Sequence, residues 1–542
     1  MSRNAVWGSL AVLALFLGIA FGIYAPALQG PPISDDYGYL LNPWVVDLDW
    51  RRAVELLDPR SEATLVHNNY APVRPLLHAV EWALFPENSF AYHTVNVVVH
   101  ALVSWLLAGL LVRLGAAPGA AVLAGLFFLV HPANVEAVAW MSQLWTLVAL
   151  GLSLGALHVQ RDRPGLALLS FTLAMLTKPA AVCVVVPAAL REWLWRDALG
   201  SDEQRRHLLI FCGWLSVAIL LCAVEIAVFR ASHSAALPGL HPEGWAQVRT
   251  CFAIWGRYLA LAMTGSAAST FHEPPAANTW ADPWWIGGVL ASLLLLARGL
   301  YLLRRKRVEA VFWAWAAAGF APVSQIFPFV YPLADRYLYF ILPGLLGGTV
   351  LLISSVASRI AQPARARLAR GAAAFATAAA ILALGAASYE RAHVWESVEA
   401  VMLDAARHYP LGVSAALLDA QAAATEGDAA GAASGIERCR EHGWLHFTYL
   451  IEHPAFASVQ AEPAFQNVVA AVASDFLADA GGRARMSQTH LRDVARAHRL
   501  RGETTSAIEA LERALEQGGP LDAMLRQELA RARASSRRPA SR

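Results

Sequence analysis

Charge is what this sequence has least of. Only 15% of its 542 residues are Asp, Glu, Lys or Arg, against about 25% in soluble domains. Lys and Arg number 43 and Asp and Glu 41, so the net charge is only +2 and no overall field argues for nucleic acid as a partner. Cysteine is scarce as well. Five scattered residues are too few for a disulfide framework or a zinc site. Cys183, Cys212 and Cys222 lie in apolar runs and Cys251 in an amphipathic one. Only Cys439 falls in the polar C-terminal tail, which excludes a disulfide within that tail.

Apolar residues fill the space that charge leaves. They make up 57% of the chain, mean hydropathy is +0.42, and 19 tryptophans suit a large bilayer interface. The composition is that of an all-helical, multispanning membrane protein. The first run, residues 5–24, is long enough to cross a hydrocarbon core of ~30 Å. It exceeds the roughly 7–15 residues of a signal-peptide core, so it reads as an uncleaved span with Arg3 on the cytoplasmic side. Further runs lie at 92–114, 117–130, 137–159, 164–177, 179–195, 208–229, 284–303, 309–326, 337–357 and 371–388, about eleven candidates in all.

Basic residues fix the orientation. With the N-terminus cytoplasmic, the inside loops are "LGAAPG", "QRDRPG", "REWLWRDALGSDEQRRH", "RRKRVE" and "SRIAQPARARLARG". These hold nearly all the Lys and Arg found between spans after residue 100, as the positive-inside rule requires. The rule forces 245–265 to be an interfacial or re-entrant helix, since a span there would put "RRKR" outside. Residues 25–91 and everything after about 389 then lie outside, in the periplasm of a bacterial cell. The Ala- and Arg-rich composition agrees with a bacterial source.

The tail reads as amphipathic helices. "HLRDVARAHRLRGETTSAIEALERALEQGGP" resembles a tetratricopeptide repeat, with Gly502 at the turn and Ala507 and Ala514 at small packing positions. "VSAALLDAQAAATEGDAAGAASGIERCREHG" is a degenerate partner, with Gly427 and Ala432 in matching places. Helical repeats bury their faces only against neighbours. The expected division is 1–390 membrane domain, 391–533 repeat-like tail and 534–542 disordered end.

Polar groups return to one face. In order they are Asp35–Asp36, "YAPVRPLLH" (70–78), "FAYHTVNVVVH" (90–100), "HPANVEAVAW" (131–140), "LTKP" (176–179) and "YPLADRYLY" (331–339). Each lies at the outer end of a span or in an outer loop. Together they supply carboxylates, imidazoles and the cations Arg74, Lys178 and Arg336. That set suits sugar transfer from a polyprenyl-phosphate carrier. A carboxylate takes the proton of an acceptor hydroxyl, and cations neutralise the leaving phosphate.

The ordered series resembles the GT-C class of membrane glycosyltransferases, closest to the transmembrane and tetratricopeptide-repeat O-mannosyltransferases and their bacterial relatives. The likeness spans roughly residues 1–390. It rests on the acidic pair Asp35–Asp36, "VRP" with Tyr70 four before Arg74, His93–Asn96–His100, His131–Pro132–Glu136–Val138, Lys178, and Asp335–Arg336–Tyr337–Leu338–Tyr339. It implies an inverting transferase with Asp35 as base and Asp36 in support. Arg74, His93, His131, Glu136, Lys178 and Arg336 become substrate-binding residues. It also implies a polyprenyl-phosphate sugar donor, with mannose as the sugar, and an exported protein or glycan as acceptor. No cofactor is required, although Asp36 could hold a divalent metal. Pro179 departs from the pattern, since relatives often carry Glu there, and the repeats are few.

Other readings stand beside these. "SDD" is good helix-capping chemistry. His93 and His100, seven apart on one face, are either packing histidines or a metal pair, and His131 before Pro132 can be a helix terminus. Glu225 lies inside a span, where acids are costly and often functional. Trp284–Trp285 read as an interfacial belt. The rival functions are a transporter, which would keep its polar site near the bilayer midplane, and an inactive repeat scaffold.

Overall fold

The structure, a computed structural model, describes residues 3–196, 200–232, 242–326, 331–357 and 363–536. Among these every regular element is helical. The chain separates into two compact units, the first comprising Met1–Asn42, Val73–Cys222 and His241–Val401.

Six helices are long and apolar enough to cross a membrane: Ser89–Arg113, Met141–Val159, Ser201–Ser232, Pro283–Arg304, Asp335–Val356 and Ala373–Glu396. A seventh crossing exists if Pro118–Leu129 and Pro132–Ala139, bent by 55°, form one span. The eleven apolar runs all fall on helices, but several are too short to qualify. Proline is the reason. Pro132 follows the run 117–130 and keeps its helix, Pro118–Leu129, from continuing straight into Pro132–Ala139, because proline lacks the N–H a helix needs. Pro179 opens a 3-10 segment, Pro179–Val184, and leaves only Val185–Trp195 as α-helix. Glu309–Phe320 and Pro164–Thr177 run just 12 and 14 residues. The helix Trp245–Thr264 is also absent from the set that could span.

Helices of the first unit meet where side chains are missing. A Cβ on Gly344 would lie 2.4 Å from the backbone N of Ala316, and one on Gly347 2.1 Å from the Phe312 ring. Glu309–Phe320 therefore packs on Leu338–Ala357 at a distance that only glycine permits, the small-residue packing of membrane helices. Gly288 plays the same part between Trp245–Thr264 and Pro283–Arg304, since a Cβ there would strike the Phe252 carbonyl. Elsewhere large apolar side chains face outward: Leu208, Leu209, Ile219 and Leu220 on one helix, Leu290, Leu293 and Leu294 on another. A soluble protein rarely exposes such surface; lipid covers it at little cost. The chain is an integral membrane protein.

The second unit comprises Pro43–Pro72, Ala223–Leu240 and Met402–Arg542. It contains two helical hairpins. Val413–Thr425 and Ala429–Glu441 turn at Gly427 (φ +80°), and Gln488–Leu500 and Thr504–Gln517 turn at Gly502 (φ +75°). Both turns use a left-handed conformation that favours glycine. Ala432, Ala507 and Ala514 are fully buried where the paired helices touch. The polar loop 43–72 belongs to this unit: Glu62 accepts the backbone N–H of Gln488 at 2.6 Å. Glu225 accepts the backbone N–H of Tyr70 at 2.6 Å, which gives this costly acid a structural partner. The C-terminal helix Asp522–Ser536 enters the segment expected to be disordered, and residues 537–542 lie outside the described residues.

Candidate active site

One short segment, "WMSQLWT" (140–146), gathers the groups singled out in the sequence. It lies where the bent pair ends and Leu144–Val159 begins. Asn96 holds it from the neighbouring span, its amide donating to the carbonyls of Val138 (3.1 Å), Trp140 (3.1 Å) and Met141 (3.2 Å). Four members of the segment then each meet a group from elsewhere.

Ser142 meets Asp36. Its backbone N–H donates to Asp36 Oδ1 at 2.8 Å, while Ile33 N–H donates to Oδ2 at 2.8 Å. Asp36 is buried, and burial pushes its carboxyl up to about 6 against the pull of these two bonds and of His78. Both oxygens are therefore engaged by the fold, as a loop clamp requires. Asp35 differs in every respect. It starts the helix Asp36–Leu40, makes no side-chain capping bond and is exposed. Among the described residues only the Ser34 hydroxyl approaches its carboxylate, at 3.5 Å.

Trp145 meets Arg74. The Arg74 guanidinium lies over the Trp145 ring at 4.1 Å and over Tyr39 at 5.2 Å. Arg74 is buried, and its Nε has no hydrogen-bond partner among the described residues. Burial raises the Tyr39 phenol, as does the nearby Asp35 charge, while Arg74 and Arg336 lower it.

Thr146 meets Lys178, whose ammonium donates to Thr146 Oγ1 at 2.6 Å. Lys178 is extended (φ −150°, ψ 117°), as a residue before proline prefers. Burial, then the charges of Arg336 and Arg74, hold its ammonium well below the ordinary lysine range, and Glu136 offsets this only in part.

Trp140 meets Arg336, which lies 5.3 Å above its ring, with Tyr331 at 4.8 Å and Tyr337 at 5.0 Å. Glu136 takes the other side. It pairs with the guanidinium and also accepts the Arg336 backbone N–H at 2.6 Å. Arg336 is thus an oriented cation whose own counter-ion is already present. Burial raises the Tyr331 phenol, and Asp35 raises it further, so Asp35 and Arg336 act on the same ring.

The histidines serve the fold. His93 Nε2 bonds the Gly30 carbonyl at 3.2 Å. His100 bonds the Tyr339 hydroxyl at 2.9 Å and the Leu129 carbonyl at 3.1 Å. His131 caps the 3-10 turn Pro132–Asn134, accepting from Ala133 N–H at 3.2 Å, and its Nε2 bonds the Ala262 carbonyl at 3.1 Å. Broken helices leave carbonyls unpaired, and these imidazoles satisfy them. His93 and His131 are therefore engaged by backbone carbonyls, whereas Arg74, Lys178 and Arg336 meet side chains of the segment 140–146. Among the described residues no three His, Cys, Asp or Glu side chains group as a metal ion would need.

Several residues of the site were not singled out. Tyr39 lies in the outer loop that holds the acidic pair; Trp140, Trp145 and Thr146 sit in an apolar stretch that reads as span, and only the run of buried polar groups Ser142, Gln143 and Thr146 marks it as something else. His272, bonded to Asp335 at 2.7 Å, comes from a loop without periodicity.

No family model matches the chain, and no curated protein matches it. Among solved structures it is similar to ArnT from Cupriavidus metallidurans, crystallised bound to undecaprenyl phosphate. Identity is 13%, the match covers 94% of this chain and 81% of that one, and the TM-score is 0.33.

Proposed function

We propose that the protein is a polyprenyl-phosphate-dependent glycosyltransferase. The observation that carries this reading is one segment, 140–146, that meets three cations, Arg74, Lys178 and Arg336, together with an exposed, unclamped carboxylate, Asp35, whose charge acts on the same tyrosine rings as Arg74 and Arg336. Asp35 takes the proton of an acceptor hydroxyl as its oxygen attacks the anomeric carbon. The bond from that carbon to the phosphate oxygen breaks, and the electron pair leaves on the phosphate. Arg336 receives the charge, with Arg74 and Lys178 beside it. Attack opposite the leaving group inverts the anomeric centre.

An apolar groove supports a lipid-borne donor. A cavity of about 750 Å³ lies between Trp245–Thr264, Pro283–Arg304 and Glu309–Phe320, lined by Phe252, Trp255, Leu295, Gly299, Trp313 and Ala317 among others. From Ser292 to Leu303 it follows the helix for roughly 16 Å at 1.5 Å per residue. Gln247, which lines the cavity, donates to the Gln325 carbonyl, and Gln325 donates to that of Tyr331 at 3.0 Å. Tyr331 is one of the rings around the Arg336 guanidinium. A tail in the groove would bring its phosphate towards the cations.

Mannose is the sugar that the sequence resemblance favours, and a Ser or Thr of an exported protein, or a glycan, is the acceptor. The helical hairpins of the second unit are read as tetratricopeptide-like repeats. The site faces the periplasm of a bacterial inner membrane, and no metal is needed because cations do the charge work. The test is transfer from a purified polyprenyl-phosphate sugar, with Asp35→Asn in parallel. Transfer by the wild type that collapses in the variant is expected. A wild type inert towards every such donor, or a fully active Asp35→Asn, would overturn the reading.

A further inference from the structure

The loop 265–282 touches the Arg336 assembly at two successive residues. His272 Nε2 lies 2.7 Å from Asp335 Oδ1, and both side chains are buried, 3% and 0% exposed. Phe271 meets Tyr331 edge to face at 5.9 Å, and Tyr331 is one of the rings carrying the guanidinium. The loop is pinned along its length. Arg391 donates to the Ala268 carbonyl at 2.8 Å and Thr270 to that of Val401 at 2.8 Å. Arg249 donates to the carbonyls of Ala277 and Asn278, each at 2.9 Å. A pinned loop can hold what it touches.

What it touches is the residue before Arg336. Asp335–Tyr337 is a single 3-10 turn whose first two residues are held by side chains from elsewhere. Glu136 grips Arg336 itself. On Asp335, His272 supplies the short contact, and Arg391 stands farther off, 3.9 Å from the other oxygen. Loss of the imidazole would leave a buried carboxylate with, among the described residues, that long contact alone, and buried charges short of partners are costly. The turn relieves the cost by rotating, and rotation moves the adjacent guanidinium.

We infer that His272 is a positioning residue for donor binding: its bond to Asp335 sets the turn that aims Arg336 at the phosphate. This rests on the donor reading above. The experiment measures binding of polyprenyl phosphate to the full-length protein in detergent for His272→Phe, which keeps a ring but has no N–H, and His272→Gln, which keeps an N–H at similar reach. His272→Phe should weaken binding by roughly 3- to 30-fold, with His272→Gln near wild type and the acceptor KM unmoved. In an Arg336→Ala background His272→Phe should add nothing, because the two act through one group. Should His272→Phe not fold, His272→Asn, too short to reach Asp335, takes its place. A folded His272→Phe that binds as tightly as wild type, or an effect that simply adds to that of Arg336→Ala, overturns the inference and leaves the donor reading intact. A wild type that binds no polyprenyl phosphate removes both.

Discussion

Two adjacent aspartates have opposite surroundings, and that difference is testable one residue at a time. Asp36 accepts a backbone N–H on each oxygen, so Asp36→Asn turns an amide NH₂ towards one of those donors and leaves it unpaired. The expected cost is about 1–3 kcal/mol of stability, seen as a lower Tm. Asp35 is exposed and holds no backbone group, so Asp35→Asn should leave Tm unchanged and lower transfer ~10²–10⁴-fold, the usual worth of a general base. Equal melting losses in both variants would contradict the asymmetry. Lys178 makes a different prediction. Burial and two guanidiniums depress its ammonium, and an arriving phosphate must raise it again, so donor binding takes up a proton. Affinity for the sugar phosphodiester, which has no second ionisation, should fall as pH rises from neutrality towards the ordinary lysine range near 10. Lys178→Arg should flatten that dependence, because arginine keeps its charge throughout. A wild-type affinity constant over that range would sink the assignment.

At the scale of elements, the segment 140–146 organises the site, and Asn96 organises the segment. The Asn96 amide faces three carbonyls. Asn96→Asp has nearly the same shape but sets oxygens against those carbonyls, so it should lower Tm and abolish transfer without touching substrate. A variant that melts like wild type would show that the segment has other anchors. The same element explains what the sequence disclosed and what it hid. Asp35, Arg74, Lys178 and Arg336 stand out in the sequence because charges are rare here and each lies at a span end or in an outer loop. The fate of His93 and His131 was not legible there. Their partners are carbonyls of Gly30 and Ala262, and a carbonyl carries no residue signature. The eleven apolar runs and the six or seven long helices among the described residues differ for a related reason. Apolar runs report burial in lipid or protein alike, whereas Pro132, Pro164 and Pro179 decide whether a run is one long helix or two short ones. Gly427 and Gly502 were easier to place, since a left-handed turn between amphipathic helices has a strong local signal.

For the whole molecule, the structure constrains which side of the membrane the site occupies relative to the basic cluster. Pro283–Arg304 has 22 residues, or about 33 Å at 1.5 Å per residue, enough to cross a hydrocarbon core of ~30 Å. Its first residue follows the loop that carries His272, and His272 bonds Asp335 beside Arg336. The start of that helix is therefore on the site's side. Its end runs into Arg304, Arg305, Lys306 and Arg307, the densest basic run between spans, and basic loops stay cytoplasmic. The site should then face outward, where a lipid-borne sugar is the available donor. The check is single cysteines at Ser34, which is exposed beside Asp35, and at Lys306, each in a background lacking the five native cysteines. A membrane-impermeant thiol reagent should label position 34 in intact cells and position 306 only after permeabilisation. Labelling of both from the same side would place the basic run and the acidic pair together, and an outward-facing transferase could not survive that result.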